Sequence, residues 1–356
     1  MKKIIFAEVP NFRKGENVMK KYIILSFLLS NLIFSQNVIE IETATIEFIG
    51  LEKWTIEMVS DSMKKYADGA ELNQIYCNSV LDDVGFPSAT ATSDFKDGKM
   101  LVMVSLVEHQ YSDLIQFTDS PKDTLPLNEE WNWINEYSQK HPMGFQLALA
   151  AYGDYLNRDF ESIMDFMDEF SETLKKFGME IDTTHFGEFW SGLEKHNKKS
   201  DFKKAKQIIL NDANYQNRLP AICVLANFNH NPEAYDLLFH LLRGRDVYIS
   251  DFAGKILKTI NKYPVSNLNL FDHEEHLIPL LNGTNIEHFL NVMDFLMNDI
   301  YRTRKETKFI IQHSERLLTH YLKSDYFENE TVEILKKLYG EDFENRDEWL
   351  AYLQKQ

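Results

Sequence analysis

The sequence predicts a small α+β domain followed by an all-α array of stacked helix pairs, mostly α overall. Two observations carry this. The first 80 residues past the apolar leader mix β-branched alternation with helical stripes, and from Asn128 onward every segment has helical periodicity. Within that region apolar residues recur at a fixed offset. Ala221 and Leu225 map onto Ala253 and Leu257 at 32 residues, and Ala205, Ile208 and Ile209 map onto Ala234, Leu237 and Leu238 at 29. A repeat of about 30 residues that holds two helices is the mark of an α-solenoid, because one pair cannot bury its apolar faces alone.

The repeat core reads as three helices. Ala221, Val224, Leu225 and Phe228 form one stripe. Asn231 offers an N-cap and Pro232 fits the first helical position, where its missing N–H costs nothing. Ala234, Leu237, Leu238 and Leu241 form the next stripe, Gly244 breaks it, and Ile249, Ala253, Ile256, Leu257 and Ile260 form the third.

These residues resemble the HEAT-like repeat family in its short, PBS-lyase-type form, over about residues 200–261 and more weakly to 297. The matching features are Asn231-Pro232-Glu233-Ala234, the run Leu237-Leu238 to Leu241-Leu242, and Ile249, Ala253 and Leu257 at spacings of four. The family's usual Val-Arg is reduced to Asn217-Arg218 and Ile249-Ser250. The terminal segment around Asp347 and Trp349 also resembles the closing segment of some HEAT-like proteins. The resemblance implies a scaffold or binding surface rather than a particular chemistry.

Residues 19–35 resemble a bacterial secretory signal peptide: Lys20-Lys21, an uncharged run from Tyr22 to Phe34, and Ser35 before Gln36. The run is shorter than the roughly 20 residues that span a bilayer. Residues 1–18 read as an upstream extension that is not translated. The expected product is periplasmic or secreted, with no membrane span after cleavage.

Residues 36–117 form the α+β domain on this reading. Val38–Ile49 reads as one strand. Thr55 caps a helix with the stripe Ile56, Val59, Met63 and Tyr66, and a second helix carries Leu72, Ile75, Tyr76 and Val80. Strands follow at about 88–95 and 100–108, joined by Asp97-Gly98, a type I′ hairpin signal. A short strand is expected at 113–117. Residues 118–127, with two prolines and no apolar period, read as a linker, and 128–356 as the helical repeat domain. Further helices are expected at about 304–323, 328–339 and 345–354.

The formal net charge is −17, and −21 once residues 1–35 are set aside, which disfavours nucleic acid and anionic lipid as partners. Cys77 and Cys223 belong to no metal or CxxC spacing and read as buried thiols, or as an inter-domain pair in an oxidising compartment. Asp272, His273, Glu274, Glu275 and His276 are the densest set of potential ligands. Without HExxH spacing they read as a polar helix start. His230 falls in a turn and His240 on an outward face. His109 beside Glu108, at a strand end, is the one candidate for catalysis. The adjacent pairs Asp82-Asp83 and Glu129-Glu130 point to different faces. Trp131, Trp133, Phe166, Phe170, Phe186, Phe189 and Trp190 stand at helical spacing and read as core. No nucleophile elbow, phosphate loop, dinucleotide fingerprint or calcium loop is present. No catalytic, cofactor-binding or metal residue is assigned. The expected function is an exported, non-enzymatic interaction scaffold for another envelope or exterior protein. The alternative is a hydrolase or ligand sensor with its site at the junction of the two parts.

Overall fold

The computed structural model describes residues 37–355 apart from 41–43, 67–83, 97–98, 158–162, 177, 179–181, 263–267 and 299–302. The leader at 19–35, the second N-terminal helix, Cys77, Asp82-Asp83 and the turn Asp97-Gly98 lie outside the described residues. The chain is mostly helical with one small mixed sheet near its N-terminus.

The sheet has the order β1-β2-β4-β3, with β1 at Val38–Glu40, β2 at Ala44–Ile49, β3 at Ser88–Lys96 and β4 at Lys99–Val107. β1 and β2 are antiparallel, Val38 facing Glu47, so the expected single strand at 38–49 is two. The alternation runs on through the sequence, and residues 41–43, between the two strands, lie outside the described residues. β3 and β4 pair antiparallel with Lys96 facing Lys99, while β2 and β4 run parallel.

Alternation sends one face of the sheet to each of two cores. Ile46, Phe48, Val102, Val104 and Leu106 pack with Val59 and Met63 of α1, Ile56–Tyr66. Ile49 and Met103 point the other way and join the helical core. β4 is buried on both faces, which is why its sequence is a continuous apolar run rather than an alternating one.

The expected strand at 113–117 is absent. A 3₁₀ turn occupies His109–Leu114, and Thr118 makes an isolated parallel bridge to Gly244. β2 and β3 already flank β4, so the chain leaving β4 has no open ladder beside it. Residues 119–127 carry no helix or strand. They nevertheless lie against the helices, where Ala213 N–H donates to the Asp123 carbonyl at 2.6 Å and Leu127 packs on the core.

The helices are α2 (Glu129–Lys140), α3 (Pro142–Asn157), α4 (Ile163–Lys176), α5 (Phe186–Glu194), α6 (Lys199–Asn211), α7 (Tyr215–Val224), α8 (Pro232–Leu242), α9 (Val247–Asn261), α10 (Glu274–Asn282), α11 (Ile286–Leu296), α12 (Arg304–Leu322), α13 (Glu328–Tyr339) and α14 (Arg346–Leu353). The expected local rules hold. Asn231 accepts from Glu233 N–H and Pro232 opens α8. Residues Leu225–Phe228, expected in one α-helix with Ala221, form a 3₁₀ turn that tightens the end of α7. From α6 to α13 the helices pair in sequence: α6 with α7, α8 with α9, α10 with α11 and α12 with α13. α8, α10 and α12 pack in one layer, and α7, α9 and α11 in a second. Side chains link neighbours within each layer. Lys206 reaches Glu233 at 3.0 Å, His273 reaches Asp236 at 3.1 Å, and His288 reaches Asp251 at 3.1 Å. α2, α3 and α5 cover the second layer at α7 and α9. Trp131, Phe166, Phe186, Phe189 and Trp190 are buried there, as their spacing predicts. Trp349 of α14 is fully buried at the C-terminal end, its indole N–H donating to the Phe343 carbonyl.

Candidate functional site

The sheet docks along the turns between paired helices. Thr284, between α10 and α11, meets the hydroxyls of Ser88 at 2.8 Å and Thr90 at 2.6 Å. Ser324, between α12 and α13, donates to Glu47 at 3.0 Å, and Tyr326 hydrogen-bonds Asp94. Glu52 accepts from Tyr111 at 2.6 Å and from Gln110 at 3.1 Å, and its other oxygen lies 3.1 Å from His320 Nε2. The His320 hydrogen bond is the main cause that holds the Glu52 carboxyl down at about 2. Arg316 lies over the Tyr111 ring at 4.5 Å and donates to the Asn282 carbonyl.

Burial acts oppositely on Glu47. It pushes this carboxyl above the usual range, with the Ser324 hydrogen bond opposing. The folded state therefore binds a proton on Glu47 more readily than the unfolded chain does. Its stability falls as pH rises through the raised folded value. Glu47→Gln is expected to raise the melting temperature at pH 7. The gain should fade below pH 4, where both states of Glu47 are protonated. Melting curves at pH 7 and pH 4 check it; a gain of equal size at both would show that ionisation is not the cause.

Beside Thr284 the junction leaves a cleft of about 160 Å³. Its apolar wall comes from Ala89, Ile115, Leu242, Pro279 and Leu280, and Phe117 and Val247 stand at its rim, 38% and 54% exposed. Arg243, Arg245, Ser250, Asn285 and His288 supply the polar side. Arg243 is held by two bonds, Nε to the Gln116 carbonyl at 3.0 Å and Nη1 to His276 Nδ1 at 2.6 Å. A guanidinium only donates, so His276 Nδ1 accepts and its proton sits on Nε2, 3.5 Å from Asp236. Burial depresses the His276 imidazole below its ordinary value. Among the described residues, no aspartate or glutamate lines the cleft.

The residues singled out in the sequence fall elsewhere. Glu108 is 2% exposed, and its carboxylate accepts from the backbone N–H groups of Glu52, Lys53 and Trp54 at 2.7, 2.9 and 2.9 Å. It ties down a turn. His109 is exposed and lies outside the cleft. His273 and His276 both face Asp236 across the first layer, and Glu274 and Glu275 stand in the first turn of α10. Among the described residues, no group of three or more His, Cys, Asp or Glu has the arrangement to hold a metal ion. His230 sits exposed in its turn. His240, expected to face outward, is half-buried edge-on to His276, and burial lowers its basicity. Cys223 is a buried free thiol with its pKa raised by burial. Sequence reasoning gives Arg243, Arg245, Phe117 and Val247 no role in a site. The Arg-Gly-Arg at 243–245, in a chain so acidic, was the available signal.

No protein-family model, curated protein or solved structure matches the chain. Among the described residues no helix is long and apolar enough to cross a membrane.

Proposed function

We propose that the chain is a binding module whose helix pairs form a short HEAT-like α-solenoid, exported by the leader at 19–35. The observation that carries this is the two-layer packing of α6 to α13, in which each pair contacts the next. The partner surface is the outer side of the first layer. The second layer is covered by α2, α3 and α5, and the sheet and residues 118–123 occupy the turns within pairs. On the first layer, Asp272, Glu274 and Glu275 are exposed at the start of α10, while Glu233 of α8 is paired with Lys206. That charge suits a partner protein with a basic face, one of the cell envelope or exterior.

The experiment is retention of envelope proteins on the immobilised full chain, beside the variant Glu274→Lys/Glu275→Lys. Retention of one protein by the wild type, reduced at least tenfold by the variant, supports the reading. Equal retention by both would remove the first layer as its site. The hydrolase alternative loses its motivation, since Glu108 is spent on backbone N–H groups.

A further inference from the structure

We propose that the junction cleft binds an organic carboxylate carrying a short apolar group, about the size of one amino-acid residue. This deepens the binding-module reading by giving it a second, small-ligand site, and it is tested apart from it.

Three observations converge. The first is size. A dry cavity of about 150 Å³ accepts a benzene-sized molecule, and this cleft offers about 160 Å³ beside an apolar wall. The second is charge. In a chain of net charge −17, the cleft has Arg243 and Arg245 on its lining and no carboxylate among the described residues. Arg243 has its fork oriented by Gln116 and His276, and Arg245 is stacked on the Phe117 ring at 4.1 Å. Planar guanidinium groups fixed in this way match a carboxylate better than a mobile lysine would. Three acids stand nearby, and Glu275, beside His276, acts on Arg243. Asp246 accepts from Ile249 N–H at the start of α9, and Asp251 faces His288. The third is the backbone field. The first turns of α9, at Val247 and Ser250, and of α11, at Asn285 and His288, both line the cleft. The positive end of the α11 dipole, capped by the neutral Asn285, therefore borders the cleft, while that of α9 is already met by Asp246. The polar side selects the carboxylate; the apolar wall and the exposed Phe117 and Val247 select the group attached to it.

The probes are N-acetyl-L-leucine and its amide, and Gly-Gly-Leu with a free or amidated C-terminus, titrated into the full chain by calorimetry at low salt. The expected result is saturable binding of an acid with a dissociation constant on the order of 1 mM. Its amide should bind at least tenfold more weakly. Arg245→Gln should weaken the acid at least fivefold and leave the weaker binding of the amide unchanged. Phe117→Ala should weaken acid and amide alike, which separates the wall from the charge. Binding of both acids assigns the site to a peptide C-terminus; binding of N-acetylleucine alone assigns it to a free small acid. Equal affinity for acid and amide, affinity unchanged in Arg245→Gln, or no saturation by 50 mM would each overturn the proposal. A partner protein kept by the first layer in the presence of saturating N-acetylleucine leaves the module standing whatever the cleft does. Acid binding without any retained partner does the reverse.

Discussion

Glu108→Ala is expected to destabilise the fold by about 3–5 kcal/mol, and to do so without any catalytic explanation. One buried carboxylate accepts from three successive backbone N–H groups, at Glu52, Lys53 and Trp54, and fixes the chain as it leaves β2. Removing it takes the protein partner from all three donors together and frees the segment that carries Glu52 to His320 and Tyr111. Glu108→Gln keeps the shape and one acceptor oxygen, so its loss should be about half as large. Chemical denaturation of the three proteins at pH 7 provides the order: wild type, then Gln, then Ala. An alanine variant as stable as the wild type would mean that the turn holds itself.

Gly50→Ala should cost a similar amount, about 4 kcal/mol, for a different reason. Gly50 has φ of 95°, and a Cβ there would lie 2.1 Å from the Leu106 carbonyl oxygen. The obstacle is the backbone of β4, which cannot swing aside as a side chain can. Gly340 is the internal comparison. It also has positive φ, 72°, where it ends α13, yet a Cβ there would meet nothing within 4 Å. Gly340→Ala should therefore cost only the left-handed backbone penalty, about 1 kcal/mol. The difference in denaturation midpoint between the two alanine variants isolates the clash. If both lose the same stability, the contact with β4 is looser than its geometry implies.

The helical half of the fold was legible because its signals are local. Asn231-Pro232, the apolar offsets of 29 and 32, and the break at Gly244 fix element type and order within a few residues of themselves. Strand pairing is not local. Nothing within 38–49 announced that the segment folds back on itself, and the turn at 109–114 follows from strands already placed beside β4. The same limit governed the candidate site. Glu108 beside His109 looked chemical in sequence, and only the approach of residues 52–54, more than 50 positions away, gives the carboxylate its structural role. His240 was placed outward because its neighbours on α8 suggested it; His276, from the next pair, half-covers it. The cleft is assembled from three separated stretches, near residues 88, 116 and 243–288, so no single motif could carry it.

The measurement that bears most directly on the binding-module account is retention of envelope proteins by the immobilised full chain, run side by side with Glu274→Lys/Glu275→Lys. The account predicts one protein held by the wild type and lost at least tenfold from the variant, with both baits folded at the temperature of the assay. No protein held by the wild type, or one held equally by both, would contradict it.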